Sequence, residues 1–152
     1  MAGTQLELDH SSDEILKHLN EVLTRGEDAS EAFAEIAGQL DRSTRERFDT
    51  ETTPDGFAWK EHKKATIKAR EKQNLRVDRI LHGDTLNLRD GIHTGYGPGS
   101  VWISTGQPAS AYAARMQFGM EGIQEARPFL GLSESDQDVI VSILGDFLMQ
   151  FD

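Results

Sequence analysis

Apolar residues recur at helical spacing twice within the first fifty positions. Ile15, Leu16, Leu19, Val22 and Leu23 fall on one face of a helix of about four turns, and Gly26 is placed to end it. Ser11-Ser12-Asp13-Glu14 stands at its start with the S-x-x-E spacing of a capping box, in which hydroxyl and carboxylate each satisfy an orphan backbone N–H. Asp28-Ala29-Ser30-Glu31 repeats that spacing ahead of a second stripe, Phe33, Ile36, Ala37, Leu40 and Thr44, running toward Phe48. Glu31, Glu35, Asp41, Arg42, Arg45 and Glu46 occupy the other positions as a solvated face of mixed charge. A helical hairpin is therefore predicted. Residues 49–56 break the period, with turn chemistry at Thr52-Thr53-Pro54-Asp55-Gly56, and Phe57 and Trp59 are expected to anchor this loop on the core.

From Leu81 onward the period changes. Leu86, Leu88 and Ile92 lead through Gly95-Tyr96-Gly97-Pro98-Gly99 into Val101-Trp102-Ile103, a β-branched and aromatic run ended by Gly106, which predicts a hairpin with a glycine-rich tip. Neither Gly-Lys-Ser/Thr nor a helix-opening G-x-G-x-x-G accompanies these glycines, so a phosphate cradle is not expected. Residues 108–117 read as a short helix opened by Pro108 and stopped by Phe118-Gly119, and Ile123 as part of an edge strand. Ser133-Glu134-Ser135-Asp136 caps a last helix striped by Val139, Ile140, Ile143, Leu144, Phe147 and Leu148. The predicted class is α+β: an N-terminal helical hairpin, a small mostly antiparallel β-sheet over residues 86–125, a short helix over 109–117, and a C-terminal helix packed on the sheet.

Composition narrows the function more than the fold. At 152 residues with 37% hydrophobic and 28% charged, one domain spanning 1–152 is expected, with 1–10 flexible and 49–79 a loop and basic segment. The absence of cysteine excludes disulfides, thiolate metal sites and cysteine nucleophiles. There is no apolar run near the roughly 18 residues of a membrane helix, nor a leader-like N-terminus, so synthesis in the cytoplasm and no membrane contact are expected. His10, His18, His62, His82 and His93 lack metal-ligand spacing, and no nucleophile elbow appears. No catalytic residue, metal or cofactor is expected, and the chain does not read as an enzyme.

A net charge of −10 argues against general affinity for DNA phosphates, yet the charge is unevenly spread. Residues 1–56 carry net −9, residues 57–95 net +4 and residues 96–152 net −5. The basic run 60–79 reads either as a helix face solubilised by lysines or as a patch that meets an acidic partner surface or phosphates.

Ala126-Arg127-Pro128-Phe129-Leu130-Gly131-Leu132-Ser133, just ahead of the capped C-terminal helix, resembles the signature of the phage virion morphogenesis proteins, the tail-completion proteins of Mu-like and related temperate tailed phages. Further parts follow the family's order. Pro54-Asp55-Gly56 with Trp59, the lysine-rich stretch, the region Leu81-His82-Gly83-Asp84-Thr85-Leu86, and Tyr112-Ala113 through Gln117-Phe118-Gly119 all resemble family blocks, over roughly residues 12–150. The sequence departs from the pattern at Gly83-Asp84-Thr85, where a Thr-Gly pair is usual, and at Met116, where a His commonly stands.

The resemblance implies a structural protein of the virion at the head–tail junction, made in the host cytoplasm. It would form a homo-oligomeric, hexameric ring on the head-proximal end of the tail. Its partners would be the tail tube protein and the head-connector or stopper protein, with DNA only as genome passing through the lumen. A neck ring on the head connector is the alternative, and a nucleic-acid-associated regulator using residues 60–79 a more distant one. Lys60, Lys63, Lys64 and Lys68, the hairpin-tip residues Tyr96 and Pro98, and Arg127 with Phe129 are the candidate interface residues. Trp59, Trp102, Tyr112, Phe118 and Pro128 are the candidate structural ones. For Arg127 and Phe129 two roles stand open: core packing, with the guanidinium on a carbonyl or carboxylate, or an inter-subunit anchor.

Overall fold

Helix α2 (Ser30–Thr50) is the long element around which the rest is laid. The computed structural model describes residues 4–5, 13–81, 87–106 and 110–151. Ala32, Phe33, Ile36, Ala37, Leu40, Thr44 and Phe48 bury one broad face of α2, as their spacing requires. The start of the helix differs from the expected capping box: Asp28 lies two residues outside it and accepts from the backbone N–H and the hydroxyl of Ser30, at 3.0 and 2.6 Å. Those two bonds hold the Asp28 carboxyl below its ordinary value. The C-terminal end runs past Phe48 to Glu51, which takes the left-handed conformation (φ 57°) and closes on the Arg47 carbonyl.

Helix α1 (Asp13–Arg25) precedes it, burying Ile15 and Val22 and ending at Gly26, whose φ of +67° suits glycine. The residues of its expected cap, Ser11 and Ser12, lie outside the described residues. Helix α3 (Lys64–Lys72) buries none of its residues. The residues Asn87–Asp90 form a helical turn, α4, whose Leu88 is buried.

Strands β2 (Ile92–Gly97) and β3 (Ser100–Thr105) form the expected antiparallel hairpin, pairing Ile92 with Thr105 and Gly97 with Ser100 around Pro98-Gly99. Gly95 lies opposite Trp102, and a Cβ there would meet the indole at 2.5 Å, so the ring covers the glycine. Of the N-terminal ten residues, expected to be flexible, the described pair Thr4–Gln5 (β1) adds a third antiparallel strand to the other edge of β3.

The sheet is thus shorter than the span 86–125. Its hairpin begins at Ile92 because Asn87–Asp90 is helical, while Leu86 lies outside the described residues. Ile123 is 73% exposed and sits in a turn closed by a Met120–Gln124 bridge, so it is not an edge strand of the sheet. Helix α5 (Ser110–Phe118) ends at Gly119, φ +74°, as expected.

Helix α6 (Glu134–Met149) opens with a capping box in which Ser133 and Asp136 exchange bonds of 2.9 and 3.0 Å. The chief partners of α6 are α1 and α2, and α2 is the helix that lies on β2 and β3. Ile140 reaches the sheet side, sharing a groove with Val101 and Ile103. Phe33, Phe48, Phe129, Leu130 and Leu144 fill the centre almost completely buried, worth about 1.5–3 kcal/mol each. Phe48 meets Trp59 edge-on at 5.4 Å and Phe129 at 5.5 Å between ring centroids.

Candidate interface surface

The signature residues 127–131 are held by the side chains of Trp59, Gln117 and Arg47, and by Arg127 reaching back to residues 60 and 61. Arg127 donates from Nε and Nη2 to the carbonyls of Lys60 (2.7 Å) and Glu61 (3.1 Å), and its own N–H reaches the Met116 carbonyl. Trp59 Nε1 donates to the Pro128 carbonyl at 2.7 Å. Gln117 accepts from the N–H groups of Phe129 and Leu130, both at 3.0 Å, and donates to the Leu130 carbonyl at 2.9 Å. That pattern of two donors and one acceptor fixes the orientation of its amide. Arg47 donates to the carbonyls of Phe129 and Gly131 from Nη1 and to Asp136 Oδ2, at 2.7 Å, from Nη2. Gln39 covers the other Asp136 oxygen at 3.1 Å.

An extended, buried segment with no sheet partner thereby has its polar groups paired with side chains. Burial pushes the guanidinium of Arg47 below its ordinary value, opposed by the adjoining Asp136 carboxylate, and burial lowers Arg127 likewise, opposed by Glu125.

The clasp corrects two candidate interface residues. Arg127 and Phe129 are buried inside the subunit, so their contacts are internal and the core role is the one realised. Trp59 and Pro128 belong to the same clasp, and Tyr112 packs half-buried against the core. Arg47, Gln117 and Asp136 were not singled out as a site from sequence. Arg47 does fall in phase with the apolar stripe of α2, three residues past Thr44, and that is the signal that separates it from the solvated arginines. Arg45 also departs from the solvated face: besides pairing with Asp41 it donates to the carbonyls of Arg89 and Ile92, both at 2.9 Å.

Residues 60–79 form an arm with pinned feet. At one foot Arg127 holds the carbonyls of Lys60 and Glu61. At the other, Arg79 donates to the carbonyls of Phe48 and Asp49 and pairs with Glu51 at 3.3 Å, while Ile80 N–H donates to the Glu51 carboxylate. Between the feet, α3 stands over a cleft of about 260 Å³ lined by His62, Lys63, Arg70, Tyr112, Met116 and Ile123 among others. Burial, with Arg127 and Arg70 nearby, outweighs the Arg79 carbonyl and Glu51 and lowers the His62 pKa below 6.5.

Lys60 reaches Glu125 at 3.4 Å, whereas Lys63, Lys64 and Lys68 are exposed and make no ion pair among the described residues. Beside Lys63 the turn after α5 exposes Phe118 (65%), Met120 and Ile123. Phe118 is therefore not a core residue: α5 turns Ala113 and Gln117 inward and Phe118 out. Phe57 likewise does not anchor its loop, being 72% exposed; Trp59 alone enters the core.

The hairpin tip lies apart from the arm. Tyr96 and Pro98 are exposed, and Trp102, though it covers Gly95, leaves 42% of its surface open. Trp102 lines an apolar groove with Leu19, Val101 and Ile140, a different cavity from the two that include Lys63. The exposed residues of the arm and of the hairpin thus line no common cavity among the described residues. Among the described residues no histidine–carboxylate group is arranged to hold a metal, and no helix is long and apolar enough to cross a membrane.

Compared with known proteins, the chain matches the family model described as the phage virion morphogenesis family over residues 11–149, which takes in every element from α1 to α6. No curated protein and no solved structure matches it.

Proposed function

The chain belongs to the phage virion morphogenesis family and acts in building a phage virion, and from that premise we propose that it is the tail-completion protein. In this role a ring of six copies caps the head-proximal end of the tail tube and presents a docking surface to the head connector. The role is structural, without a reaction to catalyse. The single observation that carries this proposal is a family match spanning residues 11–149, clasp segment included.

The physical character of the subunit suits the task. A ring subunit must keep its shape while neighbours pull on it, and the buried clasp ties residues 127–131 to α2, α5 and the foot of the arm. The arm and the hairpin tip project from that frame as separate surfaces for separate neighbours. With a net charge of −10, a ring bordering the DNA conduit repels phosphates and leaves the genome free to slide.

Negative-stain microscopy of a lysate from a phage lacking this gene, with a complemented control, tests the proposal. Filled heads separate from tails of irregular excess length are the expected result. Separated heads with tails of normal length assign the protein to a neck ring instead, and normal infectious virions overturn the junction role altogether.

A further inference from the structure

Lys64, Lys68 and Lys72 stand four residues apart on α3, so they line one edge of that helix at intervals of about 6 Å. All three are exposed and none has an ion pair among the described residues. Glu31 and Glu35 repeat that four-residue spacing on the first turns of α2, and Glu27 stands in the non-helical entry ahead of it; all three are exposed and without an ion pair among the described residues. Three exposed acids thus stand against three exposed lysines, and Glu31 and Glu35 share the lysines' helical period.

Among the described residues the two groups form no ion pair with one another within the subunit. Both feet of the arm are fixed at the C-terminal end of α2, one by Arg79 on the carbonyls of Phe48 and Asp49 and Ile80 on Glu51, the other by Trp59 N–H on the Glu51 carbonyl at 2.8 Å. Glu35 lies thirteen residues up that helix from Phe48, about 20 Å from the end where the arm is fixed. A basic stripe at one end of a subunit and an acidic stripe at the other make a heterologous, head-to-tail contact, the type that closes into rings.

We infer that, in the ring proposed above and resting on that proposal, the lysine stripe Lys64–Lys68–Lys72 of one subunit docks on the glutamate stripe Glu27–Glu31–Glu35 of the next copy. Exposed ion pairs contribute little singly, but rows of them select the partner and set the register. The apolar turn of Phe118, Met120 and Ile123, next to Lys63, supplies surface to bury beside the charged stripe, the usual anatomy of an interface. Passing DNA is a poorer occupant of the lysines, because the subunit as a whole is strongly acidic.

Charge exchange in the full-length protein tests the contact. One variant carries Lys64→Glu, Lys68→Glu and Lys72→Glu; the other carries Glu27→Lys, Glu31→Lys and Glu35→Lys. All six positions are exposed, and far-UV circular dichroism with thermal melting verifies that each variant folds. By native mass spectrometry and light scattering, each variant alone should assemble at least about a hundredfold more weakly than wild type, since like charges then face one another. An equimolar mixture should recover the wild-type ring mass by alternating the two, which an even-membered ring allows, and the variant with all six changes should recover it by itself.

Wild-type-like assembly of either triple variant overturns the contact while leaving the ring in place. A mixture of folded variants that stays monomeric overturns it as well. Wild-type protein that is monomeric at every concentration overturns the ring and this contact together. Retention of a labelled DNA duplex at about 0.15 M salt by wild type, lost in the lysine variant with the ring intact, would give the stripe to nucleic acid instead.

Discussion

Arg47 occupies a position where the stripe of α2 calls for an apolar side chain, and the explanation lies far away in sequence. Its guanidinium neutralises Asp136 and covers the carbonyls of Phe129 and Gly131, so one side chain ties α2 to the clasp and to the cap of α6. Asp136→Ala leaves that cation buried without its counter-charge and also removes the acceptor for Ser133 N–H. A loss of about 3–5 kcal/mol is expected, read from the urea midpoint, whereas an exposed carboxylate such as Glu134 should change it little. Arg127 separates the two roles that its sequence leaves open. Because its bonds go to the carbonyls of Lys60 and Glu61 within the same subunit, Arg127→Ala should cost about 1.5–3 kcal/mol of monomer stability. Arg127→Lys should not restore it, a single ammonium being unable to reproduce the fork. Unchanged stability accompanied by failed ring assembly would return Arg127 to the interface. The sequence could not choose between these roles, because the partner carbonyls lie more than sixty residues upstream and no local pattern points to them.

At the scale of elements, periodicity made α1, α2, α6 and the β2–β3 hairpin legible, since each repeats its apolar positions over several turns or pairs. Short apolar runs carry no such period. Leu88, expected in a strand, is the buried member of the one-turn helix α4, and Ile123, expected in an edge strand, lies in an exposed turn. A lone apolar residue has no period, and only its neighbours in space decide where it goes. The stop after α5 was legible because glycine does something there that no other residue does. Gly119 adopts φ +74°, and a Cβ would come within 2.8 Å of the Ala126 nitrogen and the Gln124 carbonyl oxygen, both backbone atoms that cannot swing aside. Gly122 has nearly the same φ, +73°, but nothing within 4 Å. Gly122→Ala should therefore cost only the conformational term of about 1 kcal/mol, and Gly119→Ala that term plus about 1–3 kcal/mol of displacement. Equal losses in thermal denaturation would mean that the close approach at Gly119 carries no energy.

For the whole molecule, the family was legible because its signature is the clasp, where Arg127 bonds through its side chain, Phe129 and Leu130 are buried, and a Cβ at Gly131 would come within 2.8 Å of Pro54. The surface was legible only as a charge imbalance, since pairing exposed lysines with their partner requires knowing where the chain has carried both. The structure supplies that knowledge: net −9 over residues 1–56 includes the acidic entry to α2, and the basic run lies at the other end of that helix. If subunits meet through those two ends, salt must act chiefly on their encounter. At about 0.15 M the screening length is about 8 Å, comparable with the spacing between successive charges, so the long-range attraction between stripes is already reduced. Burial of the exposed Phe118, Met120 and Ile123 in such a contact is not screened and would hold the proposed ring once formed. Stopped-flow light scattering of subunits dissociated by dilution and then concentrated should show the association rate falling steeply from about 0.05 to 0.5 M salt, with dissociation changing far less. An association rate indifferent to salt would mean that the stripes do not face each other, and would leave the apolar turn and the hairpin tip as the surfaces that join the subunits.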